Sequence, residues 1–140
     1  MLFRSIINKI KILCNNIMGC EEIIKVFFNM TCMIKLYHWQ TKIYARHKAT
    51  DSLHSDLLSF TDKFIEVYIG RYGRPHFDKN FQINVSELSE DDAHKLLHRF
   101  VDFLKNELPK SLKKSDTDLL NIRDEILATV HQTLYLFTLQ

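Results

Sequence analysis

The chain has 140 residues, enough for one domain with one core against a typical domain of about 150. Only 3 glycines and 2 prolines are present, where average usage would give about 17 together; with 46% hydrophobic and 26% charged residues, this excludes a turn-rich β-sandwich and a disordered chain and leaves an all-α fold of long helices. A formal charge of +2, from 19 basic and 17 acidic residues, falls short of the balance that marks a nucleic-acid-binding domain by charge alone.

Residues 2–13 carry Phe3, Ile6, Ile10 and Leu13 at helical spacing, with Arg4, Lys9 and Lys11 and no acidic residue before Glu21. The pattern predicts a basic amphipathic segment over 1–17, apart from a bundle over 18–140. It is interrupted too often by polar residues to form a membrane span of about 18 residues. Its expected role is to dock on its own domain or a neighbouring subunit, with nucleic acid or a membrane surface as alternatives. Cys14, Cys20 and Cys32 make an odd count without CxxC spacing, which signals neither a disulfide framework nor a zinc ribbon and suits a reducing compartment.

A first long helix is predicted over 20–42, with Ile23, Phe27, Met30, Ile34 and Tyr37 on one stripe and Phe28, Met33, Leu36 and Trp39 around the rest. A helix so apolar all round expects burial on more than one side. A second is predicted over 46–70, stopped by the glycines and proline of the run Gly70, Arg71, Tyr72, Gly73, Arg74, Pro75. Residues 76–88 form a connection with a brief extended or helical piece. A third helix starts after Ser89, with Asp92 completing a partial capping box, turns Ala93, Leu96, Phe100, Phe103 and Leu104 inward, and stops at Pro109. The fourth runs from Asp116 to Leu139 with Leu119, Ile122, Ile126, Val130, Leu134 and Phe137 inward. Four such helices predict a four-helix bundle.

The second helix carries the chemistry. Setting His47 at zero and advancing about 100° per residue puts Asp51 near 40°, His54 near −20°, Asp62 near 60° and Glu66 near 100°. Leu53, Leu57, Phe60, Phe64 and Val67 cluster about 150° away from that stripe. The ligand-type residues therefore face away from the core. A bundle that binds two irons within one chain points its Glu and Glu-x-x-His ligands inward. Here only Asp51 and His54 approximate that unit, and Asp124, Glu125 and His131 on the fourth helix offer no counterpart. An outward stripe is either a solvated face or half of a site shared with a second chain.

Tyr37, His38 and Trp39, then His47, Asp62 and Glu66, with Gly73, Arg74 and Pro75 beyond, resemble the Dps-type mini-ferritins over roughly 20–140. The compact chain looks more like the Dps-like proteins of large DNA viruses than the bacterial ones. The segment from His38 to His47 is shorter than the family's and lacks its Gly-Pro turn. The resemblance implies a ferritin-like four-helix bundle assembled into a hollow dodecamer. It further implies oxidation of Fe²⁺ at two-fold interfaces with peroxide or oxygen, ferric mineral inside, and protection of DNA from oxidative damage. His38 and His47 would bind iron from one chain, and Asp62 and Glu66, assisted by Asp51, from its partner. Imidazole and carboxylate donors without thiolate suit iron.

A second reading keeps the shell but makes it a non-enzymatic DNA-binding or packaging protein. Its contacts would be Arg4, Lys9 and Lys11 with Lys105, Lys110, Lys113 and Lys114. A plain structural bundle is third. The expected location is cytoplasmic or nucleoid-associated, or with the virion if the chain is viral. His94 and His98 stand at i, i+4 but lack the Glu of a zinc-protease helix, and are expected to be an exposed coincidence. Tyr37, Trp39 and Tyr44 are expected in the core or an interface.

Overall fold

The computed structural model describes residues 17–77 and 80–140. The predicted segment over 1–17, with Arg4, Lys9 and Lys11, lies outside the described residues except for Ile17. Among the described residues all regular structure is helical: α1 (Cys20–Gln40), α2 (Tyr44–Tyr72), α3 (Glu90–Asp102) and α4 (Thr117–Leu136). α2 packs against both α1 and α4, and α3 against α4 and α1, the arrangement of a helical bundle. The connection over 80–88 contains no helix or strand.

α1 is buried almost all round, from Ile23, Val26 and Phe27 to Met33, Ile34 and Tyr37, as its apolar sequence requires. The connection covers part of its remaining side, leaving Phe28 half-exposed: Asn84 donates its backbone N–H to Asn29, Ser86 to the Met33 sulfur and Leu88 to Gln40. At the centre, Phe27 meets Phe64 and Phe103 edge to face, at 5.4 and 6.3 Å, a geometry that the aromatic quadrupole favours. α2 ends where Gly73, at φ 88°, donates its N–H to the carbonyl of Ile69; the left-handed region is open to glycine at little steric cost. Ser89 caps α3 by accepting from the Asp92 N–H at 3.0 Å, as its position before an acidic turn predicts.

Two helices differ from their predicted bounds. α2 begins at Tyr44, without a side-chain cap, so no N-cap residue marks it in the sequence. The third helix does not run evenly to Pro109. Its α-helical part ends at Asp102, followed by a π-helical stretch, Phe103–Glu107, and a 3₁₀ turn, Leu108–Ser111. Pro109 has no N–H to give and its ring crowds the carbonyl four residues back. The chain widens ahead of it, and Leu108 donates to the Phe103 carbonyl. The carbonyl of Leu104, relieved of that partner, accepts from Arg123 of α4 at 3.0 Å.

Polar ties close both ends of the bundle. At one end, Glu90 accepts from Tyr37 and from Thr41 (2.8 Å), and Arg46 donates to the Glu90 carbonyl at 2.7 Å while lying 4.6 Å from the Phe137 ring centre. Burial pushes the Glu90 carboxyl up, but these donors outweigh it and hold it below its ordinary value. At the other end, the buried Asp116 accepts from Tyr72 (2.6 Å) and the Lys113 N–H (2.8 Å) and pairs with Arg71 at 3.2 Å. Arg71 also reaches Asp118 at 2.9 Å.

Candidate functional site

Helix α1 delivers His38 in its last turn and α2 delivers His47 in its first, across a turn of three residues. The two rings stack, with centroids 4.0 Å apart and planes 18° apart. His38 Nδ1 lies 2.8 Å from the carbonyl oxygen of His47, and His47 Nδ1 lies 2.9 Å from that of His38. A carbonyl only accepts, so both Nδ1 atoms carry the proton and both Nε2 atoms carry the lone pair when the rings are neutral. Metal-binding histidines use the same arrangement: one ring nitrogen anchored on an acceptor, the other left as ligand.

His38 is buried, at 6% exposure, and Thr50 lies against its Nδ1 at 3.3 Å. Asp51 Oδ1 stands 3.8 Å from His38 Nε2 and 3.4 Å from Lys35 Nζ. The Lys35 ammonium holds the Asp51 carboxyl below its ordinary range. His54, one turn on, is pushed down by burial and then by the Lys35 charge. Lys35 and Thr50 were not singled out from the sequence. Both stand three residues from a histidine, at the i, i+3 spacing that puts side chains side by side on a helix.

Asp62 and Glu66 are exposed, as are Asp51 and, in part, His47 and His54, so the stripe faces outward as the helical periodicity predicts. These two carboxylates do not join the histidines within one chain. Asp62 lies eleven positions beyond Asp51 along an unbroken helix, a distance of roughly 16 Å at 1.5 Å per residue. Among the described residues, no group of three His, Cys, Asp or Glu side chains is placed to hold a metal ion. His94 and His98 meet edge to face at 4.7 Å but have no third ligand among them.

Beside Asp62 the outward face becomes apolar. A groove of about 480 Å³ lies between α1 and α2, lined by Ile24, Phe27, Phe28, Leu58, Ile65 and Asp62 among others, with Phe77 and Phe81 of the connection along one side. Of the three aromatic residues expected in the core or an interface, only Tyr37 is buried; Trp39 and Tyr44 are 69% and 75% exposed within one chain. Lys110, Lys113 and Lys114 are exposed around the turn into α4, and Lys113 lies 5.9 Å from the Tyr72 ring centre. No helix among the described residues is long and apolar enough to cross a membrane.

Residues 38–137 match the profile of a family of unknown function, DUF5856. That span begins at His38 and includes His47, Asp51, Asp62 and Glu66. The uncharacterized 14.6 kDa protein in the mobD-ri intergenic region of Enterobacteria phage T4 is 31% identical over 108 residues, covering 74% of this chain and 75% of that protein. No solved structure matches.

Proposed function

We propose that this chain, which belongs to DUF5856, a family of unknown function, is a mini-ferritin of the Dps type, whose substrate is ferrous iron. The observation that carries this reading is the outward stripe of α2 together with the anchored His38–His47 pair. Two imidazoles anchored through Nδ1 stand at one end of the stripe, with Asp51 3.8 Å from the His38 Nε2, and two exposed carboxylates, Asp62 and Glu66, stand further along it. In an isologous pair the same patch meets itself, so the carboxylates of one copy face the imidazoles of the other. Two sites then form from two half-sites each.

At such a site the neutral imidazoles and the carboxylates bind Fe²⁺. Peroxide or oxygen, entering at positions the protein leaves open, takes the electrons, and the ferric product is stored inside a closed shell, a dodecamer in this reading. The test is stopped-flow Fe²⁺ oxidation on the purified assembly with peroxide and with oxygen. Wild type should exceed the uncatalysed rate with at least one oxidant. His38→Ala with His47→Ala should return it to that background. A wild type that never rises above background removes the proposal.

The second reading is a shell that binds DNA without oxidising iron. The observation favouring it is the exposed trio Lys110, Lys113 and Lys114. The same oxidation assay separates the two.

A further inference from the structure

The groove between α1 and α2 is an unfilled apolar surface: Phe28, Leu58 and Phe77 at its mouth remain 49%, 51% and 47% exposed. Contiguous exposed apolar surface of this kind marks a docking site. We propose that its occupant is the chain's own N-terminal segment, residues 2–13.

Reach permits it. The described chain begins at Ile17, and Ile24, at the near end of the groove, follows seven residues later. Four residue steps join Leu13 to Ile17, which span at most about 14 Å when extended.

Pattern and charge favour it. With Phe3 at zero, Ile6, Ile10 and Leu13 fall near −60°, −20° and −80°, an apolar stripe, while Arg4 and Lys11 fall near 100° and 80° and Lys9 near −120°, at the stripe's edge. The groove is apolar along its length; at its rim stand Asp62, with the exposed Glu66 one turn on, and, beside Phe81, Lys25, whose ammonium lies 5.3 Å from that ring centre and pairs with Glu21 at 3.3 Å. Helix-in-groove recognition has this form, with apolar anchors at i, i+3, i+4 and i+7 spacing laid into an apolar channel. The segment contains Arg4, Lys9 and Lys11 and no acid, so its charge complements the Asp62 and Glu66 side of that rim.

One consequence rests on the function proposed above: a segment seated beside Asp62 and a second copy seated on the same stripe exclude one another, so docking in cis opposes pairing. The docking itself does not depend on that reading.

The experiment uses the full chain with the photoreactive residue p-benzoylphenylalanine in place of Ile6, or in place of Asn8 as the control on the opposite side of the segment. After irradiation, products are sized and mapped by mass spectrometry. The Ile6 probe should give adducts on Phe28, Leu58 or Phe77 at the mass of a single chain. The Asn8 probe should give none there. Adding Leu58→Asp, at a half-exposed position of the groove, should abolish the Ile6 adduct. No adduct from Ile6, an adduct mapping elsewhere, or a groove adduct at the mass of two chains overturns docking in cis. The last outcome would assign the groove to a second copy. Because no iron enters the measurement, failed Fe²⁺ oxidation leaves this result intact, and a failed cross-link leaves the oxidation result intact.

Discussion

His38 and His47 exchange hydrogen bonds, each Nδ1 to the other's carbonyl, at 2.8 and 2.9 Å. The exchange locks the end of α1 to the start of α2 through side chains. It also fixes both rings in one tautomer, so the property that suits them to a metal and the property that stabilises the turn are the same pair of bonds.

If the site is split between copies, it can be rebuilt by mixing. His38→Ala with His47→Ala in one chain, and Asp62→Ala with Glu66→Ala in another, should each lose rapid Fe²⁺ oxidation. Random co-assembly should restore roughly a quarter of the wild-type sites, because each mixed isologous pair contains one intact site and one empty of both sets. Mixtures that assemble normally but stay as inactive as their parents would refute the shared site.

Acid should weaken the fold through His54. Burial, then the charge of Lys35, hold its pKa below the ordinary 6.5. The unfolded chain therefore takes up this proton first as pH falls. The contribution is complete above 6.5 and is lost as pH drops toward the lowered folded value. Urea midpoints at pH 7.5 and 5.5 should show a smaller drop for His54→Gln than for wild type; equal drops would rule His54 out.

Core and surface should separate cleanly. Phe64 is fully buried against Phe27 at 5.4 Å, and Phe64→Ala should cost about 3–5 kcal/mol by loss of transfer energy and creation of a cavity. Tyr135, 63% exposed, should change by about 0.5 kcal/mol or less on replacement by Ala. Denaturant unfolding of both variants measures the contrast, and similar losses would contradict the packing described.

Any DNA binding should be electrostatic, since the lysines at 110, 113 and 114 lie on a turn with no base-reading motif. The log–log dependence of affinity on salt should lose about 0.9 in slope for each phosphate contact removed. Fluorescence anisotropy with Lys110→Ala, Lys113→Ala and Lys114→Ala together tests this, and a complex that keeps its affinity at high salt disproves it.

The four helices, the Ser89 cap, the Gly73 stop and the outward stripe were all legible in the sequence, because each follows from local periodicity or from a single residue's backbone chemistry. The π-helical stretch was not: it arises from Pro109 together with an Arg123 donor nineteen residues away from the carbonyl it satisfies. The histidine exchange was hidden for a similar reason, since it depends on the path of the turn between Gln40 and Tyr44. The tie of Glu90 to Tyr37, Thr41 and Arg46 joins residues more than forty apart, beyond the range of any helical pattern.

Helix α2 runs 29 residues without a break, and this makes it a ruler. An antiparallel mate that sets His47 of one chain against Asp62 and Glu66 of the other must be related to it by an axis crossing α2 midway, near Ser55. The two centres so created would stand roughly 26 Å apart along the helix, and the residues around Ser55 would meet their own images. A cysteine placed there, Ser55→Cys, would become a direct gauge of that axis, closing a disulfide between identical positions only when two copies align in this register.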